Sequence, residues 1–147
     1  MNKAARIQRE TKWPLDIIKS IHSYDEYNIY KTAGLKPTRF SPSKWAFTRE
    51  IDWSLVDSQG RTNVQRVSKW GLAPIDKDGM SYELHHVGQK ADSPLAILSK
   101  NEHRSKDNYS ILHYAEEGKN VTDDVWRKQK KEFWNDLLKK AKEQGKA

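Results

Sequence analysis

YELHHVGQKADSPLAILSKNEHRSKDNYSILHY (Tyr82–Tyr114) holds four of the chain's five histidines: His85, His86, His103 and His113. Two accounts compete for this crowding, a core that packs them or a metal with a proton-transfer step. The stretch reads as a strand through Leu84 that ends at His85-His86, a loop, and a short apolar strand, Leu95 to Leu98. Ser99 with Glu102 three residues later is a capping box, so a helix opens at Lys100 and carries His103. A strand–strand–helix unit of this size brings the end of its first strand beside the helix. Three imidazoles plus water then suit a divalent-metal site with one position open for a substrate oxygen. A fourth imidazole, with an ordinary pKa of about 6.5, is free to act as general base. A lone histidine on an apolar face is usually a hydrogen-bonded core residue, but four this close in sequence favour a site. Adjacent strand residues point to opposite faces. His85 and His86 therefore share a site only where the strand ends and twists, which Gly88 permits.

Upstream, PIDKDGMSYELHHV reads as a hairpin turning at Asp78-Gly79. RTNVQRVSKWG offers Thr62 or Asn63 as the N-cap of a short helix that Gly71 stops. DSQG is a turn, AFTREIDW is strand-like, and residues 36–48, with two prolines, read as a loop and linker. WPLDIIKSIHSYDEYNIYKTAG reads as two short helices. Pro14 suits the first turn of one, with Leu15, Ile18 and Ile21 on one face, and Ser23 caps the other, which Gly34 ends. Downstream, a long helix runs from about Asp123 to Glu143, capped by Thr122, with Trp126, Phe133, Trp134, Leu137, Leu138 and Ala141 as its apolar face. No internal repeat or low-complexity tract stands out.

At 147 residues the chain fits one domain. Only 35% of residues are hydrophobic, but six Trp, six Tyr and three Phe supply large apolar areas for a core. Without cysteine, a transition-metal site must use imidazole and carboxylate. No apolar run reaches membrane length, so membrane insertion by this chain is not expected, and no signal-peptide pattern opens it. A net charge of +7 favours an anionic partner.

The run ELHHVGQKADSPLAILSKNEH…ILH resembles the Leu-His-His subgroup of the HNH/endonuclease VII nucleases, whose core is the ββα-metal (His-Me) finger. GRTNVQRVSKWGLAPIDKDG resembles the segment that precedes the motif there, so the strong likeness runs from Gly60 to His113. Residues 9–35 resemble, less specifically, the lead-in of such modules at the tips of bacterial secreted toxins. The resemblance implies an α+β fold and a single nuclease toxin domain over 1–147. Its parts would be a helical lead-in (1–35), the loop, a core (49–114) holding the motif (82–114), and the C-terminal helix (122–144). It further implies a DNase of little sequence specificity that needs one divalent metal ion (Zn, Mg, Mn or Ni). Its partners would be DNA and a cognate, acidic immunity protein, and a larger toxin would deliver it into the cytoplasm of a target bacterium. The alternatives are an RNase or structure-specific nuclease with the same site, and a non-catalytic zinc-stabilised nucleic-acid-binding module.

Residue by residue, the resemblance maps the general base onto His86 and metal ligands onto His85, His103 and His113, with His85 and His86 exchangeable. Gln89 orients the base or braces the loop. The asparagine of the HNH signature has no clear counterpart, its position falling near Ser93-Pro94. The ten-residue step from His103 to His113 requires the chain to loop or bend between them. Arg61 as a phosphate clamp and Asn63 as a substrate contact compete with a salt bridge and a helix cap. Arg104 and Lys106 reach the DNA backbone or form a solvated face. The lysine-rich final helix fits core packing better than DNA tracking, and the tryptophans are expected in the core.

Overall fold

The structure, a computed structural model, describes residues 2–90, 92–113 and 123–147. The chain divides into two compact units, one of residues 1–49 and 84–120, the other of residues 50–83 and 121–147. Helices and a small mixed sheet make this an α+β chain, as the sequence suggested.

The first unit opens with helix α1 (Lys3–Thr11), which falls within the helical lead-in that the resemblance implied but which no apolar pattern in the sequence had marked. Ile7 is its one fully buried residue, too sparse a signal for an apolar stripe. Polar ties hold it instead: Glu10 accepts from the hydroxyls of Tyr24 and Tyr27, and Lys3 donates to the carbonyls of Ile21 and His22. Helix α2 (Leu15–Ile18) is a single turn with Pro14 as its N-cap rather than inside it. Ile17, Ile18 and Ile21 are buried, whereas Leu15 is half exposed, which revises the predicted face. Ser23 caps α3 (Tyr24–Thr32) by accepting from the Glu26 amide, as expected.

Residues 36–48 are not a loop. They form a hairpin of β1 (Lys36–Ser41) and β2 (Lys44–Thr48), paired antiparallel and tied by the Thr38 and Thr48 hydroxyls at 2.6 Å. Both prolines that suggested a loop have a place here. Pro37 lies on an edge strand, where a missing N–H is tolerated, and Pro42 lies in the turn. Strand β3 (Glu83–His86), whose first residue belongs to the second unit, and β4 (Leu95–Leu98) complete a sheet of order β1-β2-β4-β3. Strand β4 runs parallel to β2, and all four of its residues are buried, as an inner strand requires. Around it Ile7, Ile17, Ile18, Ile21, Tyr27, Tyr30, Phe47, Val87 and Leu112 form one core. Helices α5 (Lys100–Arg104) and α6 (Lys106–Leu112) follow directly.

The second unit packs α4 (Asn63–Ser68) against α7 (Asp123–Glu143). Thr62 and Gln65 form a full capping box on α4. On α7, Phe133, Trp134, Leu137, Leu138 and Ala141 are buried, as the sequence predicted, whereas Trp126 of the predicted face is only partly buried; the proposed cap, Thr122, lies outside the described residues. This unit also contains a short repeat that was not evident in the sequence: VDSQGRT (56–62) and IDKDGMS (75–81) make the same turn. In each, the aspartate N–H donates to the carbonyl four residues on, and Oδ1 accepts the N–H groups two and four residues on. An isolated β-bridge flanks each turn, Val56 with Thr62 and Ile75 with Ser81. Gly60 and Gly79 both supply the positive φ that the turn needs. Trp70 is 53% exposed, contrary to the expectation that every tryptophan is core.

Candidate active site

Strand β3 delivers His85 and His86 to different surroundings, because neighbouring side chains in a strand alternate. His85 is buried, and His86 is partly exposed at the strand's last position. The capping box of Ser99 and Glu102 starts α5 and so fixes His103 in its last turn. Glu102 also accepts from Arg49 at 2.7 Å, which ties that helix to the end of β2. Ser105, extended at φ −59° and ψ 148°, closes α5 and opens α6. This is the bend that the long step to His113 required, and the Asn108 amide braces it by donating to the Glu102 carbonyl. His113 then stands at the C-cap of α6.

Three of the four rings meet. The centroids of His85, His103 and His113 are 5.2, 5.1 and 5.1 Å apart, and one nitrogen from each lies within 4.8 Å of the others. His86 is not one of this group. The Nε2 of His85 is buried and has no hydrogen-bond partner among the described residues. A buried imidazole nitrogen beside two others is a donor set of the kind that holds a divalent ion, so the residues present fit such a metal. Burial, followed by the charges that His103, His113 and His86 would carry, pushes the His85 imidazole down to about 2. It is therefore neutral, as a ligand must be. Nδ1 of His113 lies 3.0 Å from the Tyr109 carbonyl, which can only accept, leaving Nε2 as the ligand atom.

The other predicted residues divide. Gln89 follows Gly88 in a turn where both have positive φ, 56° and 67°. Arg104 and Lys106 are exposed at the junction of α5 and α6. Arg61 belongs to the second unit, where its Nε donates to Asp57 at 2.8 Å, the salt bridge weighed against a phosphate clamp. Asn63 is corrected. It is completely buried, its amide donating to the carbonyls of Asp52 and Ile75 and accepting from the Ile75 N–H, so it has no group left for a substrate. Sequence reasoning overlooked Tyr109 and Arg49. Only Tyr109 carried a signal, standing one helical turn before a histidine.

Residues 62–140 match the family model of a nuclease of the HNH/ENDO VII superfamily with conserved LHH. The match spans more than half of the chain and includes Leu84-His85-His86. The chain belongs to this family. It is an LHH nuclease, and the three-histidine cluster lies inside the matched region. No curated protein and no solved structure matched the chain. Residues 1–61 of this LHH nuclease, including α1 to α3 and the β1–β2 hairpin, precede the match.

Proposed function

We propose that the protein is a metal-dependent DNase of little sequence specificity, with His86 as its general base. The observation that carries the proposal is the convergence of His85, His103 and His113 with His86 next to it in the chain. The three rings would hold one divalent ion, and an all-nitrogen set suits Zn or Ni better than Mg, which prefers oxygen. Such an ion, when bound, stabilises charge on the phosphoryl and leaving 3′ oxygens. Neutral His86 removes a proton from the water that attacks phosphorus in line. Gln89 steadies the turn behind it. Arg104 and Lys106, exposed beside His103, attract the phosphate backbone, in keeping with the net charge of +7.

The likeness to toxin tips supports delivery by a larger protein into a bacterial cytoplasm and neutralisation by an immunity protein. An acidic immunity protein would meet this basic chain at a steered rate.

The test is incubation of the purified chain with supercoiled plasmid, single-stranded DNA and total RNA, with and without a chelator. Plasmid cleavage abolished by chelator and restored by Zn, Ni or Mn is expected. Degraded RNA beside intact plasmid would overturn the choice of DNA, and binding without cleavage of any substrate would favour a non-catalytic module.

A further inference from the structure

The turn after Leu84-His85-His86 is gripped from the N-terminal helices at two points. A Cβ on Gly88 would lie 2.3 Å from the carbonyl oxygen of Ser20, so no other residue fits there without displacing backbone. The Gly88 N–H donates to Oε2 of Glu26 at 2.8 Å, across 62 residues of sequence. Glu26 is 1% exposed, and its carboxylate takes two more donors, the His22 N–H on Oε1 and the Tyr30 hydroxyl on Oε2. Burial and the Glu26 charge hold the Tyr30 phenol well above its ordinary value, so it stays protonated and donates. Three donors converging on one buried carboxylate form a rigid anchor.

We propose that Glu26 is a positioning residue for catalysis, acting through Gly88 to fix where His86 and Gln89 leave β3. The proposal rests on the assignment of His86 as base. Glu26 precedes the matched region, so this anchor is supplied by the chain's own helical lead-in. His85 has separate support, being buried and flanked by His103 and His113. Loss of the anchor should therefore misplace the base while leaving the ion-holding rings together. Glutamine at position 26 has the right volume but turns an NH2 group toward donors, breaking at least one of the three bonds.

The experiment compares wild type, E26Q and Y30F in plasmid cleavage, in Zn²⁺ affinity by calorimetry, and in Gly88 amide exchange by NMR. E26Q should lower kcat on the order of 10- to 100-fold with KM and Zn²⁺ affinity within about threefold, and should speed Gly88 exchange. Y30F removes a donor to the same carboxylate but leaves the Gly88 bond in place, so its kcat and Gly88 exchange should change less than in E26Q. Wild-type kcat in a folded E26Q whose Gly88 amide exchanges faster overturns the role, as does an equal fall in Zn²⁺ affinity or an equal kcat loss in Y30F. If E26Q does not fold, or keeps Gly88 exchange at the wild-type rate, E26D decides. Its carboxylate is withdrawn by one methylene, and a folded E26D with full kcat, or an unfolded one, makes Glu26 merely structural. An inactive wild type would instead remove the nuclease reading and this role with it.

Discussion

The ring of His113 is tethered at Nδ1 to the carbonyl oxygen of Tyr109, 3.0 Å away and one helical turn earlier. The two rings also stack, with centroids 4.2 Å apart. The carbonyl selects the tautomer and aims Nε2 at the other histidines. His113→Ala should weaken Zn²⁺ binding by more than about a hundredfold, because a direct ligand counts for at least as much as its outer partners. Y109F keeps both the carbonyl and the ring, so its Zn²⁺ affinity should stay within about threefold of wild type. A large loss in Y109F, measured by calorimetry, would mean that the phenol hydroxyl has a role the tether does not explain.

His86 follows a ligand in sequence but is not part of the three-ring cluster. His86→Ala should keep the fold and Zn²⁺ affinity while slowing plasmid cleavage by about 100- to 10,000-fold, the usual contribution of a general base. Circular dichroism, calorimetry and initial rates on one preparation check this. Metal loss together with activity loss would mean that His86 and His85 exchange roles.

The depressed pKa of His85 has a consequence for stability. In the unfolded chain this imidazole titrates near 6.5, whereas in the folded chain burial and the neighbouring histidines hold it down to about 2. Below pH 6.5 the unfolded state therefore binds a proton that the folded state refuses. The His85 contribution is thus fully present above about pH 6.5 and falls as pH drops toward 2, at about 1.4 kcal/mol per pH unit. Denaturant melts of the metal-free protein at pH 7.5 and 5.5 should show wild type losing about 1.4 kcal/mol more than H85Q over that interval. Parallel losses in the two proteins would show that His85 already titrates normally when folded.

What the sequence made legible was whatever local chemistry decides. The Ser99–Glu102 capping box, the apolar run Leu95–Leu98 and the α7 face from Phe133 to Ala141 emerged as read. The histidine cluster was legible too, because its members lie close along the chain. What stayed hidden depends on partners distant in sequence or on turn chemistry that mimics a loop. Pro37 and Pro42 disguised a hairpin, since only the sheet order reveals that Pro37 is at an edge. Helix α1 had one buried apolar residue and was held by Glu10 and Lys3. Glu26 stands in the first turn of α3, where a carboxylate is ordinary, and its bond to Gly88 leaves no periodic trace.

Asn63 shows the same limit from the other side, a residue singled out for substrate contact that staples the second unit instead. Its NH2 group bridges the carbonyls of Asp52 and Ile75, and its oxygen takes the Ile75 N–H at 2.7 Å, all in a fully buried position. Replacing it with alanine leaves three backbone groups without this partner, two of them on buried Ile75, which should cost about 2–4 kcal/mol. N63D is nearly isosteric but turns a carboxylate oxygen toward two carbonyl oxygens, so at pH 7 it should be at least as destabilising as N63A. As pH falls, protonation of the new carboxyl group restores one donor and should narrow its deficit against wild type, a direction that N63A cannot share. Chemical denaturation of the three proteins at pH 7 and 5 measures this. An N63D protein as stable as wild type at pH 7 would show that the staple contributes little.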